Sequence, residues 1–365
     1  NGIDSIAVKY ALGKTSPAEN LLITVGNAAG DGVGIPRVLT AFVRVQAVST
    51  PEQVVEILTQ YPELPWEAIP SQFMKSPKVW EALLPNLPMT ALIRNLARLT
   101  SIGLLAPMSD AKNLIVGRLG DTERIRKARI HPIAVLAAMG TYAQGHGERG
   151  SLSWTPVPAI TDALDSAFYL AFGNVEPSNK RTLIALDVSG SMGSGNISGI
   201  PGITPRVGSA AMAMVTARTE PNYEIVGFTS ASGRGLYGGR WDSGQSGLTH
   251  IDITPKQRLD SVCSKVAALP MGGTDCALPM IWAAEKKMPV DVFIVMTDNE
   301  TWAGEIHPTQ ALHKYRKQMG IPAKLVVISM LANDFSIADP NDSGMLDCVG
   351  FDVATPNIIS DFAKS

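Results

Sequence analysis

Thr182-Leu-Ile-Ala-Leu-Asp187-Val-Ser189-Gly-Ser191-Met-Gly193 limits what this 365-residue chain can fold into more than any other stretch. An apolar run delivers an aspartate, and two hydroxyls follow it at alternate positions. The run is too short for a free-standing helix, and Gly190, Gly193 and Gly195 punctuate its far side. These features predict a buried central strand whose carboxyl end opens into a loop. In open parallel sheets that is where ligands bind. One carboxylate with two hydroxyl oxygens is a hard-oxygen set suited to a magnesium-like divalent cation.

Two further stretches share this logic. Val290-Asp-Val-Phe-Ile-Val-Met-Thr297-Asp298 is a second buried strand ending in an aspartate, and Gly272-Gly-Thr274-Asp275 is a tight turn ahead of a helix. A helix N-cap at Ser189 or Ser191 with ordinary turn chemistry at Thr274 is the plain alternative. Taken together, Asp187, Ser189, Ser191, Thr274 and Asp298 spell Asp-x-Ser-x-Ser…Thr…Asp. The pattern resembles the metal-ion-dependent adhesion site of von Willebrand factor A domains, and the resemblance implies a bound Mg2+ or similar ion.

The rest of the chain sorts into two regimes. After a mixed, glycine-broken start that includes a helix-like Pro36–Gln46, residues 51 to about 174 read as helix after helix, without strand-like alternation. Stacked helix pairs of this kind predict an α-solenoid. Beyond Val175-Glu-Pro-Ser-Asn-Lys-Arg, apolar strands alternate with helices. Strands are expected at 183–187, 223–229, 290–297 and 324–330, in a doubly wound, Rossmann-like α/β domain. The predicted division is a helical-repeat domain over 1–176 and an α/β domain over 177–365.

Composition excludes several classes. At 45% hydrophobic residues and a net charge of −2 the chain is no charged tail or coiled coil, and no apolar run approaches the length of a membrane span. Cys263, Cys276 and Cys348 are odd in number and far apart, which fits a reduced, cytoplasmic compartment better than a disulfide framework. No Gly-x-x-x-x-Gly-Lys-Ser/Thr or Gly-x-Ser-x-Gly occurs. Gly145-His-Gly-Glu-Arg-Gly150 has dinucleotide-fingerprint spacing, but a helix precedes it where a strand is required.

Charge is distributed unevenly. Arg94, Arg98, Lys112, Arg118, Arg124, Arg126, Lys127 and Arg129 face only Asp110, Asp121 and Glu123 over the same span. In a slightly acidic chain this local excess is either a footprint for an anionic partner or a solvated helix face. The loop from Thr229 to Gly247 adds Arg234, Tyr237, Arg240 and Trp241, a mix that suits single-stranded RNA or a simple flexible insertion.

Arg126-Lys-Ala-Arg-Ile-His-Pro132, followed by Thr141-Tyr-Ala-Gln-Gly-His-Gly-Glu-Arg-Gly150, is similar to the signature of the Ro ribonucleoprotein family and its TROVE module. Pro88-Met-Thr-Ala-Leu-Ile-Arg-Asn-Leu, Gly272-Gly-Thr-Asp-Cys-Ala-Leu-Pro-Met, Phe293-Ile-Val-Met-Thr-Asp-Asn-Glu-Thr and Ile337-Ala-Asp-Pro-Asn-Asp-Ser-Gly-Met-Leu-Asp extend the resemblance over residues 65 to 365. It implies HEAT-like helical repeats joined to a von Willebrand A domain. It also implies non-enzymatic binding of small noncoding Y RNAs and of the single-stranded ends of misfolded or degrading RNAs. An exoribonuclease partner accompanies some bacterial members. On this reading the RNA-facing residues are Arg118, Arg126, Lys127, Arg129 and His131. Two rivals stay open: a protein-adhesion module whose metal takes an acidic protein ligand, and a magnesium-dependent phosphotransferase with Asp187 as nucleophile.

Overall fold

The computed structural model describes residues 37–147, 151–198, 200–229, 247–270, 272–298, 304–331, 337–350 and 354–365. Arg234, Tyr237, Arg240, Trp241 and the Glu148–Gly150 end of the glycine-spaced run lie outside them. The chain forms two compact units, Asn1–Arg118 with Leu152–Ile160, and Leu119–Ser151 with Thr161–Ser365. Residues 119–151 and 161–176, assigned by sequence to the helical domain, thus fall in the second unit.

The first unit is helical. Its helices are α1 (Arg37–Gln46), α2 (Pro51–Gln60), α3 (Pro77–Leu83), α4 (Met89–Ser101) and α5 (Asp110–Leu119), with short 3-10 turns between α2 and α4. Thr50 starts α2 with a capping box: its hydroxyl accepts from the Gln53 N–H, and the Gln53 side chain reciprocates. Pro51 at the first turn fixes the entry. Helix α4 buries Met89, Leu92, Ile93, Leu96 and Leu99 on one stripe, the 3.6-residue period made physical. Each such burial contributes about 1.5–3 kcal/mol. Sequence-adjacent helices are spatial neighbours, α1 with α2 and α2 with α3, as in helical repeats.

The second unit begins with α6 (Thr122–Lys127), α7 (Pro132–Ala143) and most of α8 (Pro158–Leu170), and then forms one six-stranded sheet. The strands are β1 (Thr182–Asp187), β2 (Tyr223–Phe228), β3 (Leu248–His250), β4 (Val292–Thr297), β5 (Lys324–Ser329) and β6 (Met345–Val349), in the order β3-β2-β1-β4-β5-β6. All neighbours are parallel except the β2–β3 pair. Helices α9 (Pro205–Thr219), α10 (Leu259–Ala267), α11 (Leu278–Glu285), α12 (Pro308–Met319) and α13 (Thr355–Lys364) complete the fold.

Every residue of β1 and β4 is buried, and apart from Thr182 and the terminal Asp187 and Thr297 these runs are apolar. One face of the sheet packs Leu183, Ala185, Phe293 and Val295 into a core with Met280, Leu312 and Tyr315. From β1 the chain moves to β2 on one side and later to β4 on the other. The crevice at the carboxyl ends of β1 and β4 is therefore the topological switch point. Sequence reading supplies β1, β2, β4 and β5 but neither edge strand. β3 is three residues long, and β6 mixes Asp347 and Cys348 into a half-buried pattern.

Candidate metal centre and candidate RNA-facing turn

Asp187 ends β1 at the switch point and is 1% exposed. Its Oδ1 accepts the Ser189 N–H at 2.8 Å, which folds the chain back just after the strand. Its Oδ2 accepts the Thr297 hydroxyl at 2.8 Å and the Thr274 hydroxyl at 3.4 Å. The Ser189 and Ser191 hydroxyls lie 3.1 Å apart. Asp298 follows directly on β4, half-buried. Burial pushes the Asp187 carboxyl up. The Ser189 and Thr297 hydrogen bonds pull it down, and the neighbouring Asp298 charge raises it further.

Four of the five expected ligands are thus linked by direct hydrogen bonds, and the fifth is felt through its charge. Thr297 is the residue the pattern hides. It sits inside an apolar strand, fully buried, and reads as packing until its hydroxyl is seen to hold Asp187.

The surrounding loops are pinned to this site. Thr229, just past β2, donates to the Gly273 carbonyl at 2.9 Å and fixes the turn that carries Thr274. Arg206 donates to the Ser189 carbonyl at 3.3 Å, and its guanidinium lies where a Cβ on Gly193 would be, 2.8 Å from Nη1. Glycine admits that contact without displacing the arginine. Asp275 is also buried; its Oδ1 accepts the Ala277 N–H at 3.0 Å, and burial raises its carboxyl.

The fit of a divalent ion can be judged from this donor set. A buried carboxylate, a second carboxylate close enough to repel it, and three convergent hydroxyls form an oxygen-only group with excess negative charge. Among the described residues no group of three or more His, Cys, Asp or Glu side chains is placed to hold a metal, and the set here joins two carboxylates to hydroxyls instead.

The basic run has a different construction. Asp121 caps α6 by accepting the Arg124 N–H at 3.1 Å. The helix ends in a Schellman turn: the Ile130 N–H reaches the Ile125 carbonyl at 3.4 Å, and the Arg129 N–H the Arg126 carbonyl at 3.0 Å. Arg129 occupies the left-handed position with φ 50°, where glycine is the usual residue. Buried Ile125 and Ile130 supply the apolar contact such turns carry. His131 then caps α7, its Nδ1 accepting the Ile133 N–H at 3.2 Å, with Pro132 opening the helix.

The cations here are not equivalent. Arg124 pairs with Asp121 at 3.2 Å and Arg126 with Glu123 at 2.7 Å. Lys127 and Arg129 are exposed and make no ion pair among the described residues. His131 is neutral: burial pushes its imidazole down to about 4. With Nδ1 accepting, the ring proton sits on Nε2, which is buried and has no partner among the described residues.

Arg118 departs from expectation. It is 6% exposed, and its guanidinium donates to the Leu84 and Leu87 carbonyls inside the first unit. Those donors satisfy the end of a 3-10 turn, so they are not available to a phosphate.

Comparison with known proteins joins the two halves. The family described as "Ro60 vWA domain" matches residues 181–363, and the "TROVE domain" family matches residues 58–141. "RNA-binding protein RO60" of Deinococcus radiodurans is 42% identical over 329 residues, 90% of this chain and 59% of that protein. The protein of that name from Caenorhabditis elegans is 42% identical over 326 residues, 88% of this chain and 47% of its own. The crystal structure of the D. radiodurans Ro (RSR) protein superposes with a TM-score of 0.80 at 41% identity, covering 92% of this chain and 65% of that one. The chain therefore spans about half to three-fifths of the curated relatives it matches. With the A-domain match alone covering half its residues and a TROVE match ahead of it, the chain belongs to the Ro60 family.

Proposed function

We propose that this chain is a non-enzymatic RNA-binding scaffold of RNA quality control. It takes small noncoding Y RNAs and the single-stranded ends of misfolded or degrading RNAs. The observation that carries the reading is the α6–α7 turn, where exposed Lys127 and Arg129 make no ion pair among the described residues, Arg126 beside them is only surface-paired, and neutral His131 follows. The relatives, named as RNA-binding proteins, support it.

Asp187, Ser189, Ser191, Thr274 and Asp298 would hold a Mg2+ ion. When bound, the ion supplies an electropositive centre for a hard oxygen ligand such as an acidic protein side chain. A phosphotransferase reading finds little support: both oxygens of Asp187 accept hydrogen bonds, and Ser189 and Ser191 are poor proton carriers at neutral pH. An exoribonuclease partner and a cytoplasmic location belong to the same proposal. Among the described residues no helix is long and apolar enough to cross a membrane.

Filter binding of a structured RNA across salt tests the reading. Each phosphate contact should add about −0.7 to −0.9 to the slope of log affinity against log salt. The Lys127→Ala/Arg129→Ala double variant should flatten that slope by roughly 1–2 and weaken binding for most sequences. Asp187→Ala should leave RNA affinity nearly unchanged. Loss of binding in Asp187→Ala alone would place the RNA on the α/β part.

A further inference from the structure

Asn174 is the last residue of the 3-10 turn Ala171–Asn174 that follows α8. Its side-chain Nδ2 donates to the Ile125 carbonyl at 3.0 Å and to the Ile130 carbonyl at 2.8 Å. Those carbonyls flank the left-handed Arg129, one before the turn and one after it. A primary amide has two N–H donors, and this one spends both on the same turn. The opposite amide orientation would set a carbonyl oxygen against two others, so chemistry fixes the assignment.

Asn174 itself rests on a rigid base. Tyr169 and Phe172 stack at 6.4 Å with planes 17° apart. The Arg218 guanidinium, from the last turn of α9, lies 4.4 Å from the Phe172 ring and 5.1 Å from that of Tyr169. Arg258 adds a second cation 5.3 Å from Tyr169 and an ion pair with Asp165 at 2.8 Å. The segment bearing Asn174 is thereby locked to the α/β framework.

We infer that Asn174 is a positioning residue for the RNA contact, clamping both ends of the α6–α7 turn and so fixing where Arg129 and His131 leave the backbone. The inference rests on the RNA-binding reading above. Without the clamp, the Schellman pair, at 3.4 and 3.0 Å, and the Ile125 and Ile130 contact are left to hold an arginine in a glycine conformation. The turn then relaxes and Arg129 loses its fixed direction.

The test uses the full chain, a structured RNA and the same salt series, with thermal unfolding followed in parallel. Asn174→Ala should weaken binding roughly five- to tenfold and reduce the salt slope by up to about one, since one phosphate contact is lost. Asn174→Asp, which turns the donors into acceptors, should be at least as damaging. Asn174→Ser keeps one donor, should recover part of the affinity, and carries the comparison if the alanine variant does not fold. A general folding defect would lower the fraction of active protein and leave the slope unchanged, which would overturn the inference. If Asn174→Ala and Asn174→Ser bind with unaltered affinity and slope while the Lys127/Arg129 double variant loses both, the inference falls and the RNA reading stands. If the double variant also binds normally, the RNA reading falls and takes the inference with it.

Discussion

The carboxyl ends of β1 and β4 and the turn between α6 and α7 both place polar side chains where an element stops, yet they are built in opposite ways. At the strand ends the charge is buried and every oxygen of Asp187 is engaged by a neighbour. At the turn the charges are exposed, and the buried or half-buried groups serve the backbone: Ile125, Ile130, the His131 cap and the Asn174 amide. The first arrangement can discriminate among small ions by geometry. The second can only offer charges in fixed directions, which suits a polyanion whose affinity comes from many weak contacts. The difference also sorts the effects of mutation. Changes at the strand ends should act on one ligand steeply, and changes at the turn should act on another gradually.

The steepest expected effect is at Asp187. Asp187→Ala removes the acceptor on which the Ser189 N–H and the Thr297 and Thr274 hydroxyls converge, so magnesium affinity should fall at least 100-fold in isothermal titration. Thr297→Val keeps the shape of β4 and removes only the hydroxyl that orients Asp187. A lost hydrogen bond to a charged group costs about 1.5–3 kcal/mol, so affinity should drop roughly 10- to 100-fold, and Mg2+ should protect the variant less against heat. Equal magnesium affinity in Asp187→Ala and wild type would remove the metal from the account and leave a buried polar network in its place.

Much of this contrast is visible in sequence, for reasons that differ by region. β1 and β4 are buried on both faces, and their apolar runs announce them; β1 ends in Asp187 and Asp298 directly follows β4, carboxylates that an ordinary core would not place there. β3 and β6 lie at the sheet edges, where partial exposure removes the pattern a reader would use. Thr297 is invisible because a β-branched threonine fits a strand whether or not its hydroxyl matters. Arg118 misleads for the complementary reason: an arginine in a short helix reads the same whether it faces water or caps the Leu84 and Leu87 carbonyls. Asn174 has no local signature at all, since its partners lie 49 and 44 residues away.

A smaller effect separates the charged from the neutral part of the turn. His131 is held at about 4 in the folded protein, against an ordinary value near 6.5, so the unfolded chain binds the extra proton first. Its contribution to stability is intact above about pH 6.5 and is lost as pH falls toward 4. The full shift corresponds to about 3 kcal/mol at most. His131→Asn retains a capping oxygen and removes the titration, so its unfolding curve should lose that acid-side slope. Parallel wild-type and variant curves in urea between pH 7 and 4 would show that the imidazole is not buried as described.

The smallest effect is the most specific to the comparison, because stability and binding should move in opposite directions. Arg129 pays for its left-handed backbone, an arrangement costing on the order of 1–2 kcal/mol for a residue with a Cβ. Arg129→Gly releases that strain but adds freedom to the unfolded chain worth roughly 0.5–1 kcal/mol. The net gain should therefore be about 0.5–1 kcal/mol, read as a slightly higher urea midpoint with an unchanged m-value. The same variant loses a cation at the centre of the proposed phosphate contacts, so RNA affinity should fall and the salt slope should shrink by about one. At Asp187 no such opposition is expected with magnesium present, because the side chain proposed to bind the ion is also the one a bound ion would stabilise. If Arg129→Gly weakens both folding and RNA binding, the left-handed turn is not strained as drawn. If it stabilises the fold and leaves RNA binding untouched, the arginine is there for something other than phosphate, and Lys127 and Arg126 become the cations to test next.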